Sequence, residues 1–206
     1  MKSLRRLSAV LIAAIVVATP AFACKGGQEL FSDDFSAPDS AWRSHDDFSI
    51  FAGRMRLRPP AGAGALIVYE GGSFRDADIC VDVTIPESRN QKAVHGGLIF
   101  WSANREEFYV FEITADGRAA VSRRHDGKWS SLVPFKRADG FKPGGAAATM
   151  LRLTLKGNNG AAYVNDEAFS AFTGQPPRDG GLIGFFGRSE PYVANIWTFA
   201  NLKITK

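Results

Sequence analysis

The sequence has few of the residues from which soluble catalytic and metal sites are usually built. It holds two cysteines and three histidines in 206 residues. His45, His95 and His125 are scattered, without the short regular spacing of a metal-ligating motif. No Gly-x-Ser-x-Gly string places a serine nucleophile on a sharp turn, and Cys80 has no evident base partner. After residue 23 no segment sustains a 3.6-residue apolar period, which excludes a bundle of amphipathic helices. There is also only one long apolar run, Leu7 to Thr19.

That run is framed as an export signal. Met1-Lys2-Ser3-Leu4-Arg5-Arg6 is basic, and Ala21-Phe22-Ala23 supplies small residues where a signal peptidase reads them. Residues 1–23 are therefore expected to be a cleaved signal peptide. An uncleaved anchor helix is the alternative, for which the run is short. The expected domain is 24–206, and its location periplasmic or secreted.

Charge of one sign is scarce as well. The signal segment carries three of the 25 basic residues, Lys2, Arg5 and Arg6, and no acid. Without it 22 basic residues face 21 acidic ones, so the remaining chain has no overall field for nucleic acid or an anionic membrane. The expected partner list excludes nucleic acid and any membrane span in the mature chain.

The two cysteines are Cys24 and Cys80. In an oxidising compartment the pair reads as one disulfide, Cys24–Cys80, tethering the N-terminus. The rival reading makes Cys24 a lipidated lipoprotein cysteine, but Ala21-Phe22-Ala23 lacks the usual leucine three residues upstream. Two free thiols are the third reading.

What is abundant is strand. Ile79, Val81, Val83 and Ile85 alternate with Cys80, Asp82 and Thr84, a period of two that sends the first set to one face. Leu151, Leu153 and Leu155 do the same against Arg152, Thr154 and Lys156. From Gly96 to Val133 four short strands follow one another, broken at Ser102-Ala103-Asn104-Arg105, Ala115-Asp116-Gly117 and His125-Asp126-Gly127. Further strands are expected at 48–51, 54–58, 65–70, 163–164, 168–172, 182–186 and 196–204. Turns are expected at Asn158-Asn159-Gly160 and Asn165-Asp166. The Gly pairs lack the strand–loop–helix context of phosphate loops. The fold class is all-β: a two-sheet antiparallel jelly-roll sandwich. Ile79, Val81, Val83, Leu98, Phe100, Phe111, Leu151, Leu153 and Leu155 should form its core.

This pattern resembles the concanavalin A-like lectin/glucanase superfamily, in particular the laminin-G-like and family-16-like exported bacterial domains. Phe31-Ser32-Asp33-Asp34-Phe35-Ser36 with Trp42 resembles the opening of that family. Gly97 through Glu112-Ile113 and Asp116-Gly117 resembles its central meander. Leu151–Lys156 with Tyr163-Val164-Asn165, then Gly180–Gly184 and Ala200–Ile204, completes the likeness across nearly the whole mature chain. Ala200 stands where relatives often carry an aspartate that helps to hold a structural calcium. That leaves calcium without one of its usual ligands, and no cofactor is expected.

The resemblance implies two functions of different class. Glycosidases of this fold carry E-x-D-x-E or E-x-D-x-x-E along one strand, so that period two puts the carboxylates on one face. No such string is present: Glu106 and Glu107 are adjacent, and Glu112 has no carboxylate at 110 or 114. The leading expectation is therefore an exported non-catalytic carbohydrate-binding or cell-envelope interaction module, whose partner is a glycan or cell-envelope polysaccharide. The alternative is a hydrolase or lyase acting on glycosides, like the 3-keto-disaccharide hydrolases, with acids from separate strands. Parity assigns Tyr109, Phe111 and Ile113 to the core, and Phe108, Val110 and Glu112 to the open face. Trp42, Trp129 and Trp197 are expected to pack in the core. Because relatives often carry a polar residue at position 101, Trp101 is expected on the open face with Ile99. There it would be the stacking platform, with Glu112 and Arg124 as polar neighbours and Ser122 beside them.

Overall fold

The computed structural model describes residues 24–43, 46–142 and 148–206. The expected signal peptide and His45 lie outside the described residues. Fourteen strands are present among the described residues. The first seven are β1 (Glu29–Asp33), β2 (Phe48–Ile50), β3 (Met55–Leu57), β4 (Gly64–Phe74), β5 (Ala77–Thr84), β6 (His95–Ser102) and β7 (Phe108–Thr114). The others are β8 (Arg118–His125), β9 (Lys128–Arg137), β10 (Thr149–Lys156), β11 (Asn159–Val164), β12 (Glu167–Thr173), β13 (Gly181–Arg188) and β14 (Trp197–Thr205). Among the described residues no helix is long and apolar enough to cross a membrane.

The strands form two antiparallel sheets. One has the order β12-β11-β10-β5-β14-β3-β2, with β1 also on β14, and the other runs β4-β13-β6-β7-β8-β9. All nine expected core residues are buried in the layer between them, in one cluster with Trp42, Trp197, Phe185 and Phe199. Period-two alternation explains why: each inward row lies opposite an inward row of its neighbour, as Leu151, Leu153 and Leu155 do with Val81, Ile79 and Ala77. Trp42 stacks on Phe185 at 5.3 Å while its indole N–H donates to Asp33 at 2.8 Å, so the aromatic body is buried and its polar edge satisfied.

Turn chemistry follows the sequence with one change of place. Asn165 and Asp166 both adopt positive φ and close the β11–β12 hairpin as expected. The β10–β11 turn lies earlier than expected, at Gly157-Asn158, because Lys156 already pairs with Asn159. Gly157 supplies the positive φ there, and Gly160 sits within the ladder, where its missing side chain makes room for the Phe172 ring.

Cys24 and Cys80 form a disulfide across 56 residues of chain. Cys80 faces away from the core, on the side of β5 where the N-terminal segment passes, and Lys25 N–H donates to Asp78 at 2.9 Å beside it. Cross-linking removes conformations from the unfolded ensemble, so reduction should lower stability by about 2–4 kcal/mol without dissolving the sandwich. Urea melts with and without reductant test this. Equal midpoints would show that the pairing of β1 with β14 alone holds this segment.

Candidate functional site

The face of the six-stranded sheet turned away from the core carries the residues to which parity gave a ligand role. In the β7–β8–β9 meander, directly opposed residues share a face, and the rows are Phe108–Arg124–Trp129 and Val110–Ser122–Ser131. Glu112 follows two residues beyond Val110 on the same side. Val68, Ile99, Phe108, Val110 and Phe186 form a second buried apolar cluster on this face, flanked by Leu66 and Leu182.

This face is a filled trough, not the open solvated surface expected. The Trp129 ring lies 5.6 Å from Phe108 and 5.9 Å from Phe186, and the His95 ring lies 5.8 Å from Phe186 and 5.7 Å from Phe135. Strands β9 and β13 are four places apart in the sheet. At about 4.8 Å per strand, a flat sheet would hold them roughly 19 Å apart. The sheet must therefore curl and twist until the rings meet over its concave side. Trp129 roofs part of the trough and remains 48% exposed, so its expected place in the core is corrected.

Trp101 is not on this face. It is 2% exposed and belongs to the core cluster, its ring against Phe100, Tyr109 and Phe172 at 5.2–5.9 Å. The reason is a bulge. Gly184 pairs with Ile99 and Leu182 with Ser102, so two steps on β13 oppose three on β6. Trp101 takes a positive φ of 46° at this point, and Phe100 and Trp101 both turn inward. Gly181 and Gly174 complete the seat, since a Cβ on either would fall within 2.6 Å of Trp101 atoms. The expected role of Trp101 as an exposed platform is corrected with its orientation.

Glu112 and Arg124 lie on the expected face and have different surroundings. Glu112 is buried: Oε2 lies 2.6 Å from His95 Nδ1, and Oε1 accepts the Ser122 hydroxyl at 2.9 Å. Both carboxylate oxygens are engaged, so Glu112 braces the floor of the trough. His125 sits between Glu107 and Asp126 at the exposed hairpin tip, 3.5 Å from each.

Arg124 lines the mouth of the trough. The cavity there is about 320 Å³ and is bounded by Trp129, Phe186, Leu66, Arg105, Glu106 and Arg188, with Asp47 at its rim. Arg124 Nη2 donates to Glu106 at 2.8 Å, and its buried Nε has no acceptor among the described residues. The loop that carries Arg105 is turned by Asn104, whose side-chain oxygen accepts the Glu106 and Glu107 N–H groups. Arg105 then reaches across to the Leu66 carbonyl at 3.2 Å. Arg188 donates to the Gly62 carbonyl at 3.1 Å.

Trp129, Arg105 and Arg188 were missed from the sequence as site residues. For Trp129 a signal existed. A two-residue Asp126-Gly127 turn pairs His125 with Lys128 and hence Arg124 with Trp129, which puts both on one face.

No protein-family model matches the sequence, and no curated protein does. Solved structures do match in fold. The carbohydrate-binding module CBM66 from Bacillus subtilis is 16% identical, with a TM-score of 0.58 over 74% of this chain and 86% of that one. The β-glucanase from Bacillus licheniformis is 12% identical, with a TM-score of 0.62 over 88% and 99% of the two chains. A laminarinase from Flavobacterium sp. UMI-01 is 10% identical, with a TM-score of 0.63 over 87% and 100%. The fold shared with all three is the concanavalin A-like antiparallel β-sandwich.

Proposed function

We propose that this is an exported, non-catalytic carbohydrate-binding module that takes a glycan at the mouth of the concave trough. Trp129 is the stacking platform and Arg124 a polar neighbour. The observation that carries the reading is the placement of Trp129. Its ring packs against Phe108 and Phe186, yet it remains 48% exposed and lines a cavity with polar walls. Sugar rings stack their C–H faces on such a surface, while charged side chains take the hydroxyls. The likeness to a carbohydrate-binding module and to two glucan-cleaving enzymes supports a glycan ligand. The sequence holds no E-x-D-x-E or E-x-D-x-x-E string, and of the two acids at the mouth Glu106 is paired with Arg124, which supports binding over hydrolysis. An oxidised cysteine pair supports an exported, periplasmic or secreted location.

Trp129→Ala tests the platform. Binding should weaken by about 1–3 kcal/mol, the scale of covering one large apolar side chain. Glycan titration measures the loss, and a thermal melt of the same variant shows whether the fold survives it. Unchanged affinity would remove Trp129 from the site. Release of reducing sugar by the wild-type protein would establish the hydrolase alternative instead.

A further inference from the structure

The walls of the trough carry a charge pattern that the chain as a whole does not. Three guanidinium groups, from Arg105, Arg124 and Arg188, face the two carboxylates of Asp47 and Glu106 around the same cavity. Arg105 and Arg188 each donate to one backbone carbonyl and form no ion pair with a described residue. A guanidinium has five N–H donors, so most of theirs remain free for a ligand.

Arg124 adds a directional feature. Its side edge, Nε and Nη2, is the fork that a carboxylate grips with two oxygens. Glu106 engages only Nη2, at 2.8 Å, and Nε is left buried without an acceptor. An unpaired buried donor on a charged group is costly, and a second oxygen at this edge would relieve it. Glu106 has a side chain 69% exposed and makes no other ion pair with a described residue, so an incoming anion displaces it at small cost.

Resting on the reading of the trough as a glycan site, we infer that its ligand is an acidic glycan. One sugar stacks on Trp129, and its carboxylate or sulfate group sits among Arg124, Arg105 and Arg188. A uronate carboxylate and a sulfate ester both offer the paired oxygens this edge requires. A nucleic acid is the poorer fit. Outside the signal segment the chain is near neutral, and a phosphate polymer needs cations along its length, not three at one mouth.

The test uses the full chain, expressed for export and oxidised at Cys24–Cys80. It is titrated with galacturonate oligomers, a sulfated galactan, neutral laminarin oligosaccharides and single-stranded DNA. The acidic glycans should bind at least about tenfold tighter than the neutral one, the scale of a hydrogen bond to a charged group. Added salt should erode that advantage and leave neutral binding unchanged. The order of uronate and sulfate then identifies the source of the anion. Arg105→Gln/Arg188→Gln should keep its melting temperature and lose the preference. The salt dependence of the wild type stands as an independent reading if the variant misfolds. Neutral glycan bound as tightly as acidic would overturn the inference and leave the glycan site standing. Binding of no glycan would overturn both, and DNA bound above all glycans would replace the ligand class.

Discussion

Trp101→Ala should lower folding stability by about 3–5 kcal/mol, the range for emptying a large aromatic from a packed core. The ring touches Phe100, Tyr109 and Phe172, and the backbone beneath it is held at positive φ by a bulge. Neighbouring side chains cannot fill the space easily, because Gly174 borders the indole and has no side chain to move into it. Urea denaturation measures the loss. Glycan affinity of the fraction that remains folded should match wild type, since Trp101 faces away from the trough. Trp101→Phe separates area from polarity. The indole N–H is buried without a partner among the described residues, so removing it offsets part of the lost contact and the cost should be well below that of alanine. A loss under about 1 kcal/mol for alanine would show a residue at the surface and restore the parity assignment that the bulge overturns.

Most of the architecture was legible because period-two alternation is a local property. Ile79-Val81-Val83 and Leu151-Leu153-Leu155 name their inward face without reference to any other strand, and all are buried. The same rule sorted Tyr109, Phe111 and Ile113 from Phe108 and Val110 correctly. It failed at Trp101 because one extra residue in a ladder reverses every later assignment, and nothing in Ile99-Phe100-Trp101 marks the insertion. Trp129 was misplaced for a different reason. Its face followed from the hairpin register, but its degree of exposure depends on how far the sheet curls, which only the assembled sheet decides. Arg105 and Arg188 come from separate strands and loops, so no spacing along the chain announces that they meet. The disulfide followed from two cysteines read together with the export expected of residues 1–23.

Asp78→Ala should be the most damaging substitution among the charged residues, at about 3–5 kcal/mol, because it strands a buried cation. Arg152 Nε and Nη2 each donate to an Asp78 oxygen at 2.8 Å, and both residues are under 10% exposed. The same carboxylate accepts the Lys25 N–H, and the pair with Asp78 holds the Arg152 guanidinium charged more firmly than usual. In the alanine variant the nearest remaining acid is Asp166 at 4.0 Å, half-exposed and too far to hydrogen-bond. Arg152 would then keep only its position over the Tyr163 ring at 4.9 Å. Asp78→Ala/Arg152→Met removes the charge together with its partner, so the double variant should be more stable than Asp78→Ala alone. Denaturant midpoints of the four proteins in this cycle measure the coupling. A loss under about 1 kcal/mol for Asp78→Ala would mark the pair as an ordinary surface ion pair. The consequence reaches the disulfide too. Cys80 pairs directly with Arg152 across β5 and β10, and Lys25 follows Cys24. Loosening Asp78 frees the segment on which Cys24 sits, so Cys24–Cys80 should be reduced faster by dithiothreitol in Asp78→Ala than in wild type.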